Sequence, residues 1–292
     1  MIEKMNFGRS DHESTKAIFG GAALYQSPRE EADRALEILL DYGVNHIDTS
    51  VSYGESEKHI GKWMKEYRDE FFLATKVDSR TYKEGKKEIQ KSLENLNVDQ
   101  FDLLQMHELV REKDIDRFFG DKGAMKAIKE AKEEGIARYT GVTSHGPFAP
   151  KLMLECIDRY DFDSVLLPLN YCMMQIPDYA ENFKVLIKTC RNRNIAVQTT
   201  KSIARRSAGE ENPRNTWYEP LEKQENIDRS IHWNLSNFED VFLCTAGDVD
   251  LLPKFLDAIE KYEGKGPSNE EMEEMVERLG MEVLSGWPRL RD

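Results

Sequence analysis

The stretch FDLLQMHELVREKDIDRFFGDKGAMKAIKEAKEEGIARYTGVTSH, residues 101–145, contains the pattern that decides the fold. Its apolar runs FDLLQMH (101–107) and ARYTGVTSH (137–145) have the length of strands, and KGAMKAIKEAKEEG (122–135) between them has the spacing of an amphipathic helix. Gly135 stands where the end of that helix needs a left-handed residue. Two strands joined by a helix pair in parallel through a right-handed crossover, so this stretch predicts a βαβ unit.

The same alternation continues in both directions along the chain. Six further apolar runs predict strands: AIFGGAAL (17–24), VNHIDTS (44–50), FFLATKV (71–77), SVLLPLN (164–170), IAVQTTKS (195–202) and VFLCTAG (241–247). Helical patterns such as EEADRALEILLDYG (30–43), which ends on Gly43, separate them. Eight such units predict an α/β fold, a closed (β/α)8 TIM barrel. The alternative is a doubly wound open sheet, but Phe19-Gly20-Gly21-Ala22-Ala23 is not the GxGxxG motif usual there.

The length of 292 residues suits one barrel of about 250 residues with additions, so we predict a single domain over residues 1–292. Residues 203–222, IARRSAGEENPRNTWYEPLE, are polar and contain proline, which predicts a loop over the barrel mouth. From about residue 264 the chain predicts a short helix and a C-terminal tail. Ser27-Pro28-Arg29-Glu30 predicts a capping box with proline at the first helical position.

The composition argues against several kinds of partner and site. With 41 basic and 54 acidic residues the formal charge is −13, which does not favour nucleic acid. No apolar run approaches the roughly 20 residues of a membrane helix, and the polar N-terminus lacks a secretory signal, which favours the cytoplasm. The four scattered cysteines form no CxxC pair, so we expect reduced, buried thiols and no zinc, iron–sulfur or other metal site.

Four polar residues stand where apolar strands reach the predicted barrel mouth. Asp48 ends the second strand and Tyr53 follows it within HIDTSVSYGESE (46–57), while Lys76 ends the third strand and His107 the fourth. Catalytic residues of such barrels collect at these carboxyl ends. Taken singly, each has a structural explanation, such as a turn cap, a packed ring or an extended lysine. As a set they favour catalysis.

Their chemistry is mutually consistent. The ordinary pKa of tyrosine is about 10, and an adjacent ammonium such as Lys76 would lower the pKa of Tyr53. Asp48 would hold that lysine charged, and a neutral His107 would hydrogen-bond the substrate oxygen. This arrangement donates a proton to a carbonyl oxygen while hydride arrives at the carbon. No residue in the set is a convincing covalent nucleophile.

The sequence resembles the aldo-keto reductase family from about Phe7 to Tyr262. The most specific element is HIDTSVSYGESEKHIGKWM (46–64), which is similar to the family's Asp-Thr…Tyr-Gly segment and its helix. The resemblance implies Tyr53 as general acid/base, Lys76 and Asp48 as its tuning pair, and His107 as the orienting group. It also implies an extended NADP(H) across the barrel mouth, without a Rossmann fold.

The resemblance extends to the cofactor contacts. Ser144-His145 is similar to the family's Ser-Asn pair that holds the carboxamide, and Leu166 and Thr200 stand where many members have glutamine and an aromatic residue. An acidic edge at Asp248 and Asp250 repels a 2′-phosphate, so NAD(H) competes with the expected NADP(H). The alternative for both aspartates is that they cap the following helix. The implied contacts are Gly21, Ser144, His145, Asn170, Thr200, Lys201, Ser202, Ile203, Arg205, Gly247, Asp248, Val249 and Lys254.

The main functional hypothesis is a carbonyl reductase or alcohol dehydrogenase acting on a small molecule with NAD(P)H. A cofactor-binding regulatory subunit with little turnover is the alternative, and a lyase or isomerase without nicotinamide is a third. The predicted mouth includes Tyr25, the 108–121 loop, Trp217 and Tyr218, whose aromatic rings suggest an apolar or ring-bearing substrate. Substrate identity and oligomeric state stay open.

Overall fold

The computed structural model describes residues 1–208, 214 and 216–284. Eight of its strands pair in parallel around a closed barrel, each with its neighbour along the chain and the last with the first. The predicted (β/α)8 TIM barrel is confirmed. The strands are β1 (Lys4–Asn6), β2 (Glu13–Thr15), β3 (Ala17–Gly20), β4 (His46–Asp48), β5 (Phe72–Val77), β6 (Phe101–Met106), β7 (Ala137–Thr143), β8 (Ser164–Pro168), β9 (Ala196–Thr200), β10 (Ala204–Ser207), β11 (Tyr218–Pro220) and β12 (Val241–Cys244).

Helices connect the barrel strands, which are β3 to β9 and β12. Strands such as β5 and β6 are buried along their whole length, because side chains on one face fill the barrel and those on the other meet the helices. The helices are α1 (Arg29–Tyr42), α2 (Ser56–Tyr67), α3 (Tyr82–Leu96), α4 (Glu112–Phe119), α5 (Met125–Glu133), α6 (Ala149–Arg159), α7 (Tyr171–Met174), α8 (Pro177–Arg193), α9 (Gln224–Asn237), α10 (Leu252–Glu260) and α11 (Asn269–Leu279).

The amino end of the barrel is closed by the antiparallel hairpin β1–β2. Phe7, between these strands, packs against His46, Phe72 and Phe242 with ring-centroid distances of 4.9, 5.3 and 5.1 Å. This aromatic cluster fills the interior of the barrel at its amino end. The opposite, carboxyl end is therefore the end at which a ligand can enter.

Two of the three predicted helix boundaries agree with the structure. Gly43 ends α1 with φ +67°, and Gly135 follows α5 with φ +75°, both in the left-handed region that favours glycine. The predicted capping box at Ser27 is wrong. The hydroxyl of Ser27 donates to the Ala23 carbonyl at 2.9 Å, and Pro28 stands at the cap position of α1.

The connections at the mouth contain more regular structure than the sequence predicts. Residues 108–121 include the helix α4, whose apolar residues Ile115 and Phe118 are buried in the core. Within the predicted 203–222 loop, β10 and β11 pair as an antiparallel hairpin. The predicted helix after residue 264 is α11, while residues 209–213, 215 and 285–292 of the predicted loop and tail lie outside the described residues.

Among the described residues, no helix is both long and apolar enough to cross a membrane. The four cysteines are buried thiols, as expected. Burial raises the pKa of the Cys172 thiol to about 11 and that of Cys244 well above its ordinary value. These thiols therefore stay protonated near neutral pH.

His46 makes the stability of the barrel pH-dependent. Its imidazole is fully buried beside Phe7, and burial, with smaller contributions from His12 and Lys76, holds its pKa well below 6.5. In the unfolded chain His46 binds a proton near pH 6.5, whereas the buried imidazole of the folded chain resists protonation. Its contribution to the free energy of unfolding is therefore present above that pH and is lost as the pH falls. We expect the urea midpoint to fall between about pH 7.5 and about pH 5.5. The variant His46→Gln should have a shallower pH dependence over that range, and an unchanged slope would contradict this assignment.

Candidate active site

The register of the barrel brings the four predicted catalytic side chains together at the carboxyl end. Asp48 ends β4, and Lys76 lies one residue before the end of β5, which pairs with β4. His107 directly follows β6, and Tyr53 stands in the connection to α2. The Tyr53 ring lies 5.1 Å from the Lys76 ammonium nitrogen and 5.7 Å from the His107 ring.

Asp48 and Lys76 form a buried ion pair. The Lys76 Nζ lies 2.5 Å from Asp48 Oδ2 and donates to the Thr49 carbonyl at 2.7 Å. The other oxygen of Asp48 accepts from the Gln105 amide at 2.6 Å. The exposed fractions are 4% for Asp48 and 1% for Lys76, so both charges depend on each other and on these hydrogen bonds.

The pKa of Tyr53 differs from the sequence prediction. Burial, followed by the negative charges of Asp48, Glu108 and Asp78, raises this pKa well above 10. The ammonium of Lys76 is close to the ring, but its charge is balanced by Asp48. The prediction of a lowered pKa is therefore wrong for this environment, and Tyr53 is a protonated phenol at neutral pH.

His107 is oriented by a carboxylate. Its Nδ1 lies 2.5 Å from Asp78 Oδ1, and its Nε2 lies 3.7 Å from Glu108 Oε1. Because an ionised carboxylate only accepts hydrogen bonds, Nδ1 carries the hydrogen. A neutral His107 then has a bare lone pair at Nε2, so the predicted neutral donor does not agree with this contact. Donation from Nε2 requires the doubly protonated ring.

A small cavity of about 70 Å³ opens beside Tyr53. Its walls combine the ends of β3, β4, β9 and β12 with residues 216–218. The Trp217 ring lies 5.9 Å from the Tyr53 ring and 6.5 Å from the Tyr25 ring, so aromatic surface covers the phenol. The lining residues are Gly20, Ala22, Asp48, Tyr53, Glu108, His145, Thr200, Lys201, Thr216, Trp217, Tyr218, Cys244, Thr245 and Gly247.

Lys201 and His145 bring titratable groups to the same cavity. Lys201 is buried in the left-handed region with φ +65°, and its Nζ lies 3.4 Å from His145 Nδ1. Burial lowers the pKa of Lys201 to about 7, although the charge of Glu108 raises it in part. The wall of the cavity can therefore gain or lose a proton at Lys201 near neutral pH.

A larger cleft of about 870 Å³ lies at the amino end of the barrel, lined by residues that include Arg68, Asp102 and Arg138. Asp102 pairs with Arg68 at 2.9 Å and with Arg138 at 3.0 Å. The cleft is far from Tyr53 in the fold, and its charged groups pair with one another. We assign it to stability.

Comparison with known proteins identifies the family of the chain. The model of the aldo/keto reductase family matches residues 16–284. This chain is an aldo/keto reductase family member. An uncharacterized oxidoreductase of Bacillus subtilis is 28% identical over 186 residues, which are 58% of this chain and 56% of that protein. The L-galactose dehydrogenase of Arabidopsis thaliana is 26% identical over 225 residues, 73% of this chain and 65% of that protein.

The similarity to these curated relatives thus spans about half to two thirds of their length. In structure, the holo form of an aldo-keto reductase from Bacillus halodurans matches with a TM-score of 0.69 at 20% identity, covering 100% of both chains. A thermostable aldo-keto reductase in complex with the inhibitor epalrestat matches with a TM-score of 0.66 at 22% identity, covering 96% of this chain and 100% of the other. At these identities the structural matches show the barrel fold.

In this family member, four of the predicted cofactor contacts line the cavity: His145, Thr200, Lys201 and Gly247. Beside them, the hydroxyls of Thr200 and Ser202 are buried without a hydrogen-bond partner among the described residues. Buried polar groups are almost always hydrogen-bonded, so these two hydroxyls suit a polar ligand across the end of β9.

The other predicted contacts are engaged by the protein itself. The Ser144 hydroxyl donates to the Leu109 carbonyl. The Asn170 side chain accepts from the Met173 nitrogen through Oδ1 and donates to the Lys201 carbonyl through Nδ2. A Cβ on Gly21 would meet Thr49 and Ser56 at 2.9 Å, so this glycine serves packing. Four further residues predicted to contact the cofactor also serve the protein itself. Ile203 and Val249 are buried in the core, Arg205 donates to the Leu279 carbonyl, and Lys254 donates to the Glu222 carbonyl.

The acidic edge predicted at Asp248 and Asp250 divides into two roles. Asp248 Oδ1 accepts from the backbone nitrogens of Asp250 and Leu251, which caps the turn before α10. Its Oδ2 pairs with Arg214 at 2.8 Å. Asp250 pairs instead with Arg34 at 2.6 Å. Both carboxylates are thus balanced by arginines.

The sequence reasoning missed Asp78 and Glu108 as functional candidates. Asp78 directly follows Val77, the last residue of β5. Glu108 directly follows His107, which the sequence had already singled out. An acidic residue at the carboxyl end of a barrel strand was the available signal.

Proposed function

We propose that the protein is a carbonyl reductase or alcohol dehydrogenase that uses a nicotinamide cofactor, NADP(H) or NAD(H), on a small molecule. The observation that carries this proposal is that Lys76, Asp48 and His107 surround Tyr53, which lines the cavity together with Asp48. Residues 1–292 would act as a single barrel domain. Membership of the aldo/keto reductase family supports the same reaction class.

Tyr53 is the proton donor in the proposed reaction. When hydride reaches the carbonyl carbon, the C=O bond becomes an alkoxide, and Tyr53 transfers its phenolic proton to that oxygen. The high pKa of Tyr53 keeps the proton in place until charge develops on the substrate. The Lys76 ammonium then stabilises the tyrosinate that remains, and Asp48 holds that ammonium against the ring.

His107 orients the substrate oxygen in the proposed reaction. Its Nδ1 is held by Asp78, so Nε2 donates to the oxygen when the ring is doubly protonated. The aromatic faces of Trp217 and Tyr25 would exclude water and bind an apolar part of the substrate. A small aldehyde or ketone with an apolar substituent is the proposed substrate class.

The cofactor supplies the hydride when bound. We propose that Thr200 and Ser202 hold it through their buried hydroxyls, with Lys201 and Gly247 beside them. The pairing of Asp248 with Arg214 offsets the acidic charge at the adenosine end. We therefore favour NADP(H), with NAD(H) as the competing cofactor.

The proposal is tested by titrating the protein with NADPH and NADH while following tryptophan fluorescence, and then by adding simple aldehydes. Saturable binding together with aldehyde-dependent oxidation of the cofactor supports the enzyme. Binding without turnover across a panel of aldehydes would instead favour a cofactor-binding subunit. If neither cofactor binds by calorimetry, the oxidoreductase proposal is wrong.

Trp217 should be the main reporter in this titration, because it lines the cavity while Trp63 is buried in α2. We expect Trp217→Phe to lose most of the cofactor-induced quenching while calorimetry still detects binding. The matched control Trp63→Phe should keep the quenching. Equal quenching in both variants would show that the cofactor does not approach the 216–218 segment.

A further inference from the structure

Three side chains that could ligate a metal ion meet beside the cavity, and two of them, Glu108 and His145, line it. His107, Glu108 and His145 each offer one ligand atom, and these atoms lie within 4.8 Å of one another. Their exposed fractions are 1%, 8% and 7%. Two imidazoles and a carboxylate form a ligand set that suits zinc and similar divalent ions. Buried side chains of this kind lose little further hydration when an ion binds.

The contact between His107 and Asp78 prepares a ligand. Asp78 Oδ1 lies 2.5 Å from His107 Nδ1, which fixes the hydrogen there and turns the Nε2 lone pair toward Glu108 Oε1 at 3.7 Å. Metal-binding histidines commonly donate their other ring nitrogen to a carboxylate in this way. An imidazole nitrogen and a carboxylate oxygen are both ligands of divalent cations, so a cation between them would be bound by both.

The backbone holds Glu108 in place. Its φ of +54° is in the left-handed region, which is rare for a residue with a side chain. Thr143 Oγ1 accepts from the Glu108 nitrogen at 2.8 Å, and Arg80 donates to its carbonyl at 2.6 Å. The unfavourable conformation directs the carboxylate toward the two histidines.

We propose that His107, Glu108 and His145 bind one divalent ion of the zinc class at the cavity wall. Bonds of about 2.0–2.2 Å to each ligand require the three atoms to approach one another by about 1 Å, which side-chain torsions can supply. Lys201, 3.4 Å from His145, is the opposing charge, and the carboxylates of Glu108 and Asp78 offset it.

Metal binding and the proposed hydrogen bond from His107 to the substrate oxygen compete for one atom, Nε2. An ion at Nε2 of His107 takes the lone pair that a proton occupies in the donor form. The metal-loaded protein is then expected to lose the hydrogen bond to the substrate oxygen. The site itself stands independently of the proposed redox function, because ion binding needs only the three ligands.

The test is a Co²⁺ titration of the chelator-treated full chain, followed by visible absorption, with calorimetry for the number of ions. We expect one ion per chain and the intense visible bands of cobalt with few ligands, displaced by Zn²⁺. Glu108→Gln and His145→Asn should each weaken binding at least tenfold. Asp78→Asn should weaken it about 10–100-fold while the bands remain.

Matched controls remove the same chemical groups elsewhere. His59→Gln on α2 and Glu112→Gln on α4 should leave the cobalt affinity unchanged. Circular dichroism and the melting temperature establish that each variant is folded, and Asp78→Asn still tests the proposal if His145→Asn does not fold. The absence of cobalt absorption bands, or an equal cobalt affinity in Glu108→Gln and the wild type, would overturn the metal site. His107 Nε2 would then bind a proton and no metal ion. The separate NADPH and NADH titrations decide the redox proposal, so the two failures are distinguishable.

Discussion

Replacement of Tyr53 by phenylalanine is expected to reduce aldehyde turnover by roughly 10²–10⁴-fold, because it removes the phenolic hydroxyl that donates the proton. The ring packing against His107 and Trp217 is kept, so the cavity should hold its shape. Steady-state kcat with a simple aldehyde is the measurement. Cofactor affinity, measured by calorimetry, should change little.

The matched control for this variant is Tyr25→Phe, which removes a phenol from the same aromatic group. Its kcat should stay within a few-fold of the wild type. If Tyr53→Phe retains near-normal turnover while Tyr25→Phe does not, the proton donor has been misassigned.

Lys76→Met is expected to produce the largest loss of stability, about 3–5 kcal/mol in the free energy of unfolding. The reason is that Asp48 remains buried with its charge uncompensated, since its other partner is the neutral amide of Gln105. Urea unfolding at neutral pH measures the effect. Turnover should also fall, because the tyrosinate loses the nearby ammonium.

The double variant Asp48→Asn/Lys76→Met isolates the charge effect. It removes both charges and keeps an acceptor for Gln105, so we expect it to recover about 2 kcal/mol relative to Lys76→Met. A double variant no more stable than the single one would show that packing, rather than charge, dominates. In any folded Lys76 variant, a kcat equal to that of the wild type would contradict the coupling to Tyr53.

The barrel was predictable because its signals are local and repeated. Each strand is a short apolar run and most helices have an amphipathic spacing, so eight repeats point to one closed topology. The capping prediction at Ser27 is wrong because its hydroxyl donates to the Ala23 carbonyl in the preceding turn and does not cap α1. The hairpin β10–β11 was missed because its residues are polar and alternate poorly.

Of the candidate site, the positions were predictable and the protonation states were not. Strand ends are visible in sequence, which located Asp48, Lys76 and His107. The pKa of Tyr53 depends on burial and on acidic groups from three different segments, Asp48, Asp78 and Glu108. Only some of the cofactor contacts implied by the resemblance line the cavity. Others, such as the Ser144 hydroxyl and the Asn170 amide, are hydrogen-bonded to backbone carbonyls of the protein.

The sequence by itself determined the barrel, the family and the four residues proposed for catalysis, because hydrophobic periodicity and strand-end positions are properties of the chain order. Only the tertiary structure brought Glu108 and His107 beside His145, and Lys201 beside His145, across three connections of the barrel. It also decided that Tyr53 is a protonated phenol and that Asp78 fixes the hydrogen on His107. Electrostatic interactions depend on distance and burial, and neither quantity exists until the strands close around the core.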